Sequence, residues 1–75
     1  MREQIIEILM ATRPEFDFAQ ENINFVEEGY LDSFDIVTIV SDLEEAFDIK
    51  IDGASILPEN FKDVESIERL IKSSR

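Results

Sequence analysis

Asp32-Ser33-Phe34-Asp35 is the stretch of this 75-residue chain whose residue types and spacing could do chemistry. Gly29 breaks the chain three residues earlier, and a helical pattern begins just past it. Asp32 is a good N-cap, because its carboxylate can accept from the free backbone N–H groups of the next turn. Asp35 stands where a capping box usually carries Glu or Gln. With Asp32 capping, Ser33 falls at the first helical position, its hydroxyl unoccupied and facing water. A phosphate ester there gains about 0.3–1 kcal/mol from the free N–H groups and the helix dipole. Asp32 and Asp35 oppose it by charge repulsion, so the acids suit a modifying enzyme, or a metal it carries, better than the product. The same spacing also fits a plainer reading, in which Ser33 is itself the cap and does no chemistry.

The rest of the composition narrows the chemistry. There is no histidine and no cysteine, so the usual general base, thiolate nucleophile and thiolate metal ligands are missing. A serine nucleophile needs a positioned base and an oxyanion site, and no lysine lies near Ser33 in sequence. The chain is therefore not expected to be an enzyme. Residues 48–59 place Asp48, Lys50, Asp52, Gly53 and Glu59 at positions 1, 3, 5, 6 and 12 of a calcium loop. Lys50 sits where a ligand oxygen is needed, Pro58 precedes the expected bidentate glutamate, and no second loop pairs with it. The expectation is a packed loop with Ile49, Ile51, Ile56 and Leu57 turned inward, and no metal.

Asp32-Ser33-Phe34 followed by Asp35, Val37, Leu43, Glu44, Glu45, Phe47 and Ile51 resembles an acyl carrier protein, most strongly over residues 28–51. In that family the serine of an Asp-Ser-Leu motif carries 4′-phosphopantetheine. The resemblance implies that Ser33 is the attachment serine and Asp32 the neighbour read by a phosphopantetheinyl transferase. Phe34 stands where Leu is usual, as in some D-alanyl, aminoacyl and polyketide-type carriers, which tilts the reading towards a specialised carrier. The implied function is to hold acyl or aminoacyl intermediates as thioesters and shuttle them between enzymes of fatty acid, polyketide or nonribosomal biosynthesis or D-alanylation. By analogy the cargo would shelter near Ile36, Ile39 and Phe61. The alternative is an acidic helical adaptor with no prosthetic group.

The elements that position these residues follow from periodicity. Residues 3–12 form an amphipathic helix on Ile5, Ile8 and Leu9, widened by Ile6 and Met10, and stopped by Pro14. Residues 14–32 make a long connection rich in phenylalanine, with a helical turn near 18–22, whose rings fold back to close one end of the bundle. Residues 33–47 form the second long helix, burying Ile36, Ile39, Val40, Leu43 and Phe47. Phe34, Thr38, Ser41 and Glu45 lie opposite, with Val37 on the border. Pro58 opens a short helix over 58–61, and Asp63 caps a last helix over 64–72 on Val64, Ile67, Leu70 and Ile71. The expected fold is one all-α domain over residues 1–75. It is a small four-helix bundle of three longer helices and one short one, with a long loop between helices 1 and 2.

Net charge is −11, and it is unevenly placed. Between Arg13 and Lys50 there are eleven acids and no base, while the remaining seven acids face seven bases. Such a field repels nucleic acid and anionic membrane and speeds encounter with basic protein patches. Phe34 and Val37 beside Ser33 form a candidate docking knob for enzymes with basic patches, with Ser41 on the same face and Asp35, Asp42, Glu44 and Glu45 as a charged ring. No apolar run approaches the ~20 residues of a membrane span, and acids at 3 and 7 fit no signal or transit segment. A cytoplasmic monomer is the expectation.

Overall fold

A computed structural model describes all residues, Met1–Arg75. It is all-helical, with α1 at Arg2–Thr12, α2 at Ser33–Phe47 and α3 at Val64–Ser73. Helix α1 is the hub, packing against both α2 and α3. Its contribution is Ile5 and Leu9, both fully buried. Four residues apart, they lie one above the other on one helix face. The core stripe is narrower than the sequence suggests, because Met10 is exposed and Ile6 half-buried. Helix α2 buries Ile36, Ile39, Val40 and Leu43, with Phe47 only half-buried, and α3 buries Ile67, Leu70 and Ile71, with Val64 half-buried. These side chains join Phe18, Phe25, Leu31, Ile51 and Phe61 in one core.

The connection between α1 and α2 is irregular but anchored. Phe18 and Phe25 are buried at its centre and meet edge-on, with ring centroids 5.0 Å apart. Phe16 stacks on Tyr30 at 4.3 Å. The Asn24 side chain accepts from the Val26 and Glu27 N–H groups, closing a turn that the Phe25 N–H ties to the Lys62 carbonyl. The rings fold back as expected, but residues 18–22 form turns and bends rather than a helical turn. Asn22 there takes a left-handed φ of 61°.

The short helix expected from Pro58 forms where the sequence places it, but only as a single turn of 3-10 helix, Pro58–Asn60; with a second such turn at Gly53–Ser55, the structure has three α-helices and two lone 3-10 turns rather than four helices. Proline disfavours the α region in the residue before it, and Leu57 is extended at φ −121° and ψ 145°. Leu57 thus stands as the N-cap of the turn that Pro58 opens and separates it from Gly53–Ser55. Leu57 also points outward at 43% exposure, against the expectation that it packs inward, whereas Ile51 is buried and Ile49 and Ile56 pack half-buried against the core. The calcium-loop residues serve the backbone: Asp48 is the left-handed C-cap of α2, and the Asp52 carboxylate accepts from the Ala54 N–H. Asp63 caps α3 by accepting from the Ser66 N–H at 2.7 Å. No helix is long and apolar enough to cross a membrane.

Candidate functional site

The start of α2 is built as the local sequence dictates. Gly29 takes a left-handed φ of 78°, a conformation that costs glycine little, and turns the chain towards α2. Leu31 is buried and anchors the approach. Asp32 is then the N-cap, extended at φ −110°, and its Oδ1 accepts from the Asp35 N–H at 2.9 Å. Asp35 reciprocates, its Oδ2 accepting from the Asp32 N–H at 3.1 Å. The capping box therefore closes with aspartate in place of glutamate.

Because Asp32 caps, Ser33 is free. It is the first residue of α2, it is exposed, and its hydroxyl makes no hydrogen bond within the chain. The other serines differ. Ser66 is buried, and Ser73 and Ser74 donate to the Leu70 carbonyl. Ser55 is half-buried, and Ser41 lies in mid-helix, away from any helix start. Ser33 alone combines exposure with a helix N-terminus, where unpaired backbone N–H groups favour an anion.

Sequence reasoning missed Arg13. Arg13 is the C-cap of α1 and precedes Pro14, which keeps it out of the helical region, at φ −134° and ψ 77°. From there its guanidinium crosses to the start of α2. Nε donates to Asp35 Oδ2 at 2.8 Å, Nη2 faces Asp32 Oδ2 at 3.3 Å, and Nη1 faces Glu15 Oε2 at 3.4 Å. The only available signal was that Arg13 is the last base before a run of eleven acids; nothing local tied it to residues 22 positions away. The hydrogen bond and charge of Asp35 hold the Arg13 pKa above its usual value. The Asp32 carboxyl is held below its usual range above all by the Asp35 N–H; burial opposes this, and the Arg13 charge and the Phe34 N–H add smaller lowering effects.

The remaining candidates separate into two groups. Phe34 is 84% exposed and Val37 65%, and Ser41 and Glu45 continue this outer face down α2. Asp35 and Glu44 are instead engaged within the fold. The Asp35 side chain is only 12% exposed and faces Arg13, and Glu44 accepts from the Ile51 N–H at 2.9 Å, tying the following loop to α2. Asp42 is half-buried. Ile36, Ile39 and Phe61, where cargo was expected to shelter, are closely packed. Two surface clefts lie elsewhere, one between Ile6, residues 18–24 and Val64, the other by Ser55, Asn60 and Leu70.

Residues 1–71 match the family model described as "Phosphopantetheine attachment site". The chain belongs to that phosphopantetheine-binding family. The acyl carrier resemblance thus holds at family level and extends well beyond the strongest stretch at 28–51. Searches of curated proteins and of solved structures gave no match. Members of the family carry covalently attached 4′-phosphopantetheine and act as carriers rather than catalysts. The residues at the start of α2 fit that group: an exposed hydroxyl without a competing partner at a helix N-terminus, next to an Asp32 that Arg13 contacts.

Proposed function

We propose that this protein is a carrier of acyl or aminoacyl groups and that Ser33 is its attachment residue. The observation that carries the reading is the Ser33 hydroxyl, exposed and unpaired at the first position of α2 inside a closed capping box. Ser33 Oγ forms the new bond to the phosphorus of the phosphopantetheine phosphate of coenzyme A, 3′,5′-ADP leaves, and the serine proton passes to the modifying transferase. The group supplies a thiol, in a chain with no cysteine, on which acyl or aminoacyl groups are held as thioesters. The chain's own part is to present the serine and to be recognised. Asp32 keeps the backbone at Ser33 fixed and offers a carboxylate that is 57% exposed. Phe34 and Val37 form the apolar docking knob, with Ser41 alongside and Asp42 and Glu45 as charged flanks for basic patches on the transferase and on acyl- or aminoacyl-transferring enzymes. Asp35 and Glu44 support this surface from behind, through Arg13 and through the loop after α2.

The test is intact-mass measurement after incubation with coenzyme A, Mg²⁺ and a broad-specificity phosphopantetheinyl transferase. A gain of one phosphopantetheine, lost in Ser33→Ala, is expected. No gain with several transferases, or a gain retained in Ser33→Ala, overturns the assignment and leaves an acidic helical adaptor.

A further inference from the structure

We infer that Arg13 is the positioning residue of this site: it holds the acid pair flanking Ser33 and offsets the repulsion between that pair and an anion carried at position 33. The inference rests on the attachment reading and adds to it a residue outside the motif.

Asp32 and Asp35 are needed for the capping box, yet each places a carboxylate beside a serine proposed to carry a phosphodiester. Without compensation, such an anion meets two like charges within one helical turn. Arg13 is the base that answers them. Its Nε holds Asp35 Oδ2, the same oxygen that accepts from the Asp32 N–H. Its Nη2 makes a longer contact with Asp32 Oδ2, the exposed carboxylate next to Ser33. The third contact, to Glu15, is also long. The guanidinium is therefore anchored at one end by a short bond and loosely held at the other, and its side chain is 35% exposed. A fixed fork of this kind can hold a carboxylate with one edge and offer the other edge to a phosphate oxygen, which a compact ammonium does less well.

A purely structural tie and a charge-compensating one differ in what they do to the loaded form. If Arg13 only braced the α1–α2 junction, its removal would weaken the protein equally with and without an anion at position 33. If it also offsets repulsion, removal weakens the loaded form more, and screening by salt hides the difference.

The experiment compares thermal midpoints of the wild type, Arg13→Gln and Arg13→Lys, each unmodified and each phosphopantetheinylated, in ~10 mM and ~0.5 M NaCl. The same substitutions are also made in a Ser33→Glu background, which places an anion at position 33 without a transferase. At low salt, loaded Arg13→Gln should melt about 2–4 °C below its own unmodified form. The wild type should show less than half that gap, Arg13→Lys should recover part of the loss, and high salt should close it. The Ser33→Glu background should show the same pattern. Equal losses in loaded and unloaded forms, or a gap that persists in high salt, overturns the inference. Failure of the wild type to accept the group sinks the attachment reading instead, and the Ser33→Glu comparison still decides the role of Arg13.

Discussion

Replacing Phe34 with alanine separates docking from folding. Phe34 is 84% exposed, whereas Phe18, Phe25 and Phe61 are at most 1% exposed. Truncating it leaves no cavity, and alanine is the better helix former. The expected stability change is within about 0.5 kcal/mol, or about 2–4 °C in thermal midpoint for a domain this small. Binding should respond differently. Fully burying a phenylalanine contributes about 1.5–3 kcal/mol, and since 84% of the residue is open to a partner, about 1.3–2.5 kcal/mol is at stake. That range corresponds to roughly a 10- to 60-fold loss of affinity. Isothermal titration calorimetry of the transferase against wild type and Phe34→Ala reads the affinity, and differential scanning calorimetry reads the midpoint. Val37→Ala should follow with a smaller loss, being a smaller and less exposed side chain. Unchanged affinity in Phe34→Ala would refute the docking assignment. A midpoint fall well beyond 4 °C would show that Phe34 is part of the fold.

Asp63→Ala tests the other cap. It removes the 2.7 Å bond to the Ser66 N–H and should cost about 0.5–2 kcal/mol, measured by urea unfolding, while leaving the rate of Ser33 modification unchanged. Asp63 also sets a pH dependence. Burial raises its pKa, but the Ser66 hydroxyl and N–H with the Lys62 and Arg69 charges outweigh it, so the folded value lies below the ordinary 3.8. Its stabilisation is therefore present above that ordinary value and lost as the pH falls through the folded one. Asp63→Asn should lack that acid-side loss when both proteins are melted between pH 5 and pH 2. Leu43→Ala, at a site with no exposure, should cost about 2–5 kcal/mol, a large share of what so small a domain has, and circular dichroism should show a much lower midpoint.

The parts of this protein readable from sequence are those governed by local rules. Asp32 with Asp35, and Asp63 ahead of Val64, are caps acting within one turn, and both form as their spacing suggests. The buried face of α2 follows from its 3.6-residue period. The misses involve reach or competition. Arg13 acts on Asp35 across 22 positions, which no local pattern encodes. Glu44 looks like another surface acid in a run of acids, yet the left-handed Asp48 brings the chain back so that the Ile51 N–H meets its carboxylate. The short helix expected from Pro58 forms only as a single 3-10 turn, and the turn at Gly53–Ser55 has no counterpart in the sequence reading. The position of Ser33 at the start of α2 follows from local sequence, and the contact of Arg13 with Asp35 does not.

The most direct measurement is to digest transferase-treated protein and find, by tandem mass spectrometry, which peptide and residue carry the added group. The account predicts complete labelling at Ser33 and none at Ser41, Ser55, Ser66, Ser73 or Ser74. Label on any of those five, or persistent absence of label from the Ser33 peptide under conditions that modify other carriers, contradicts it.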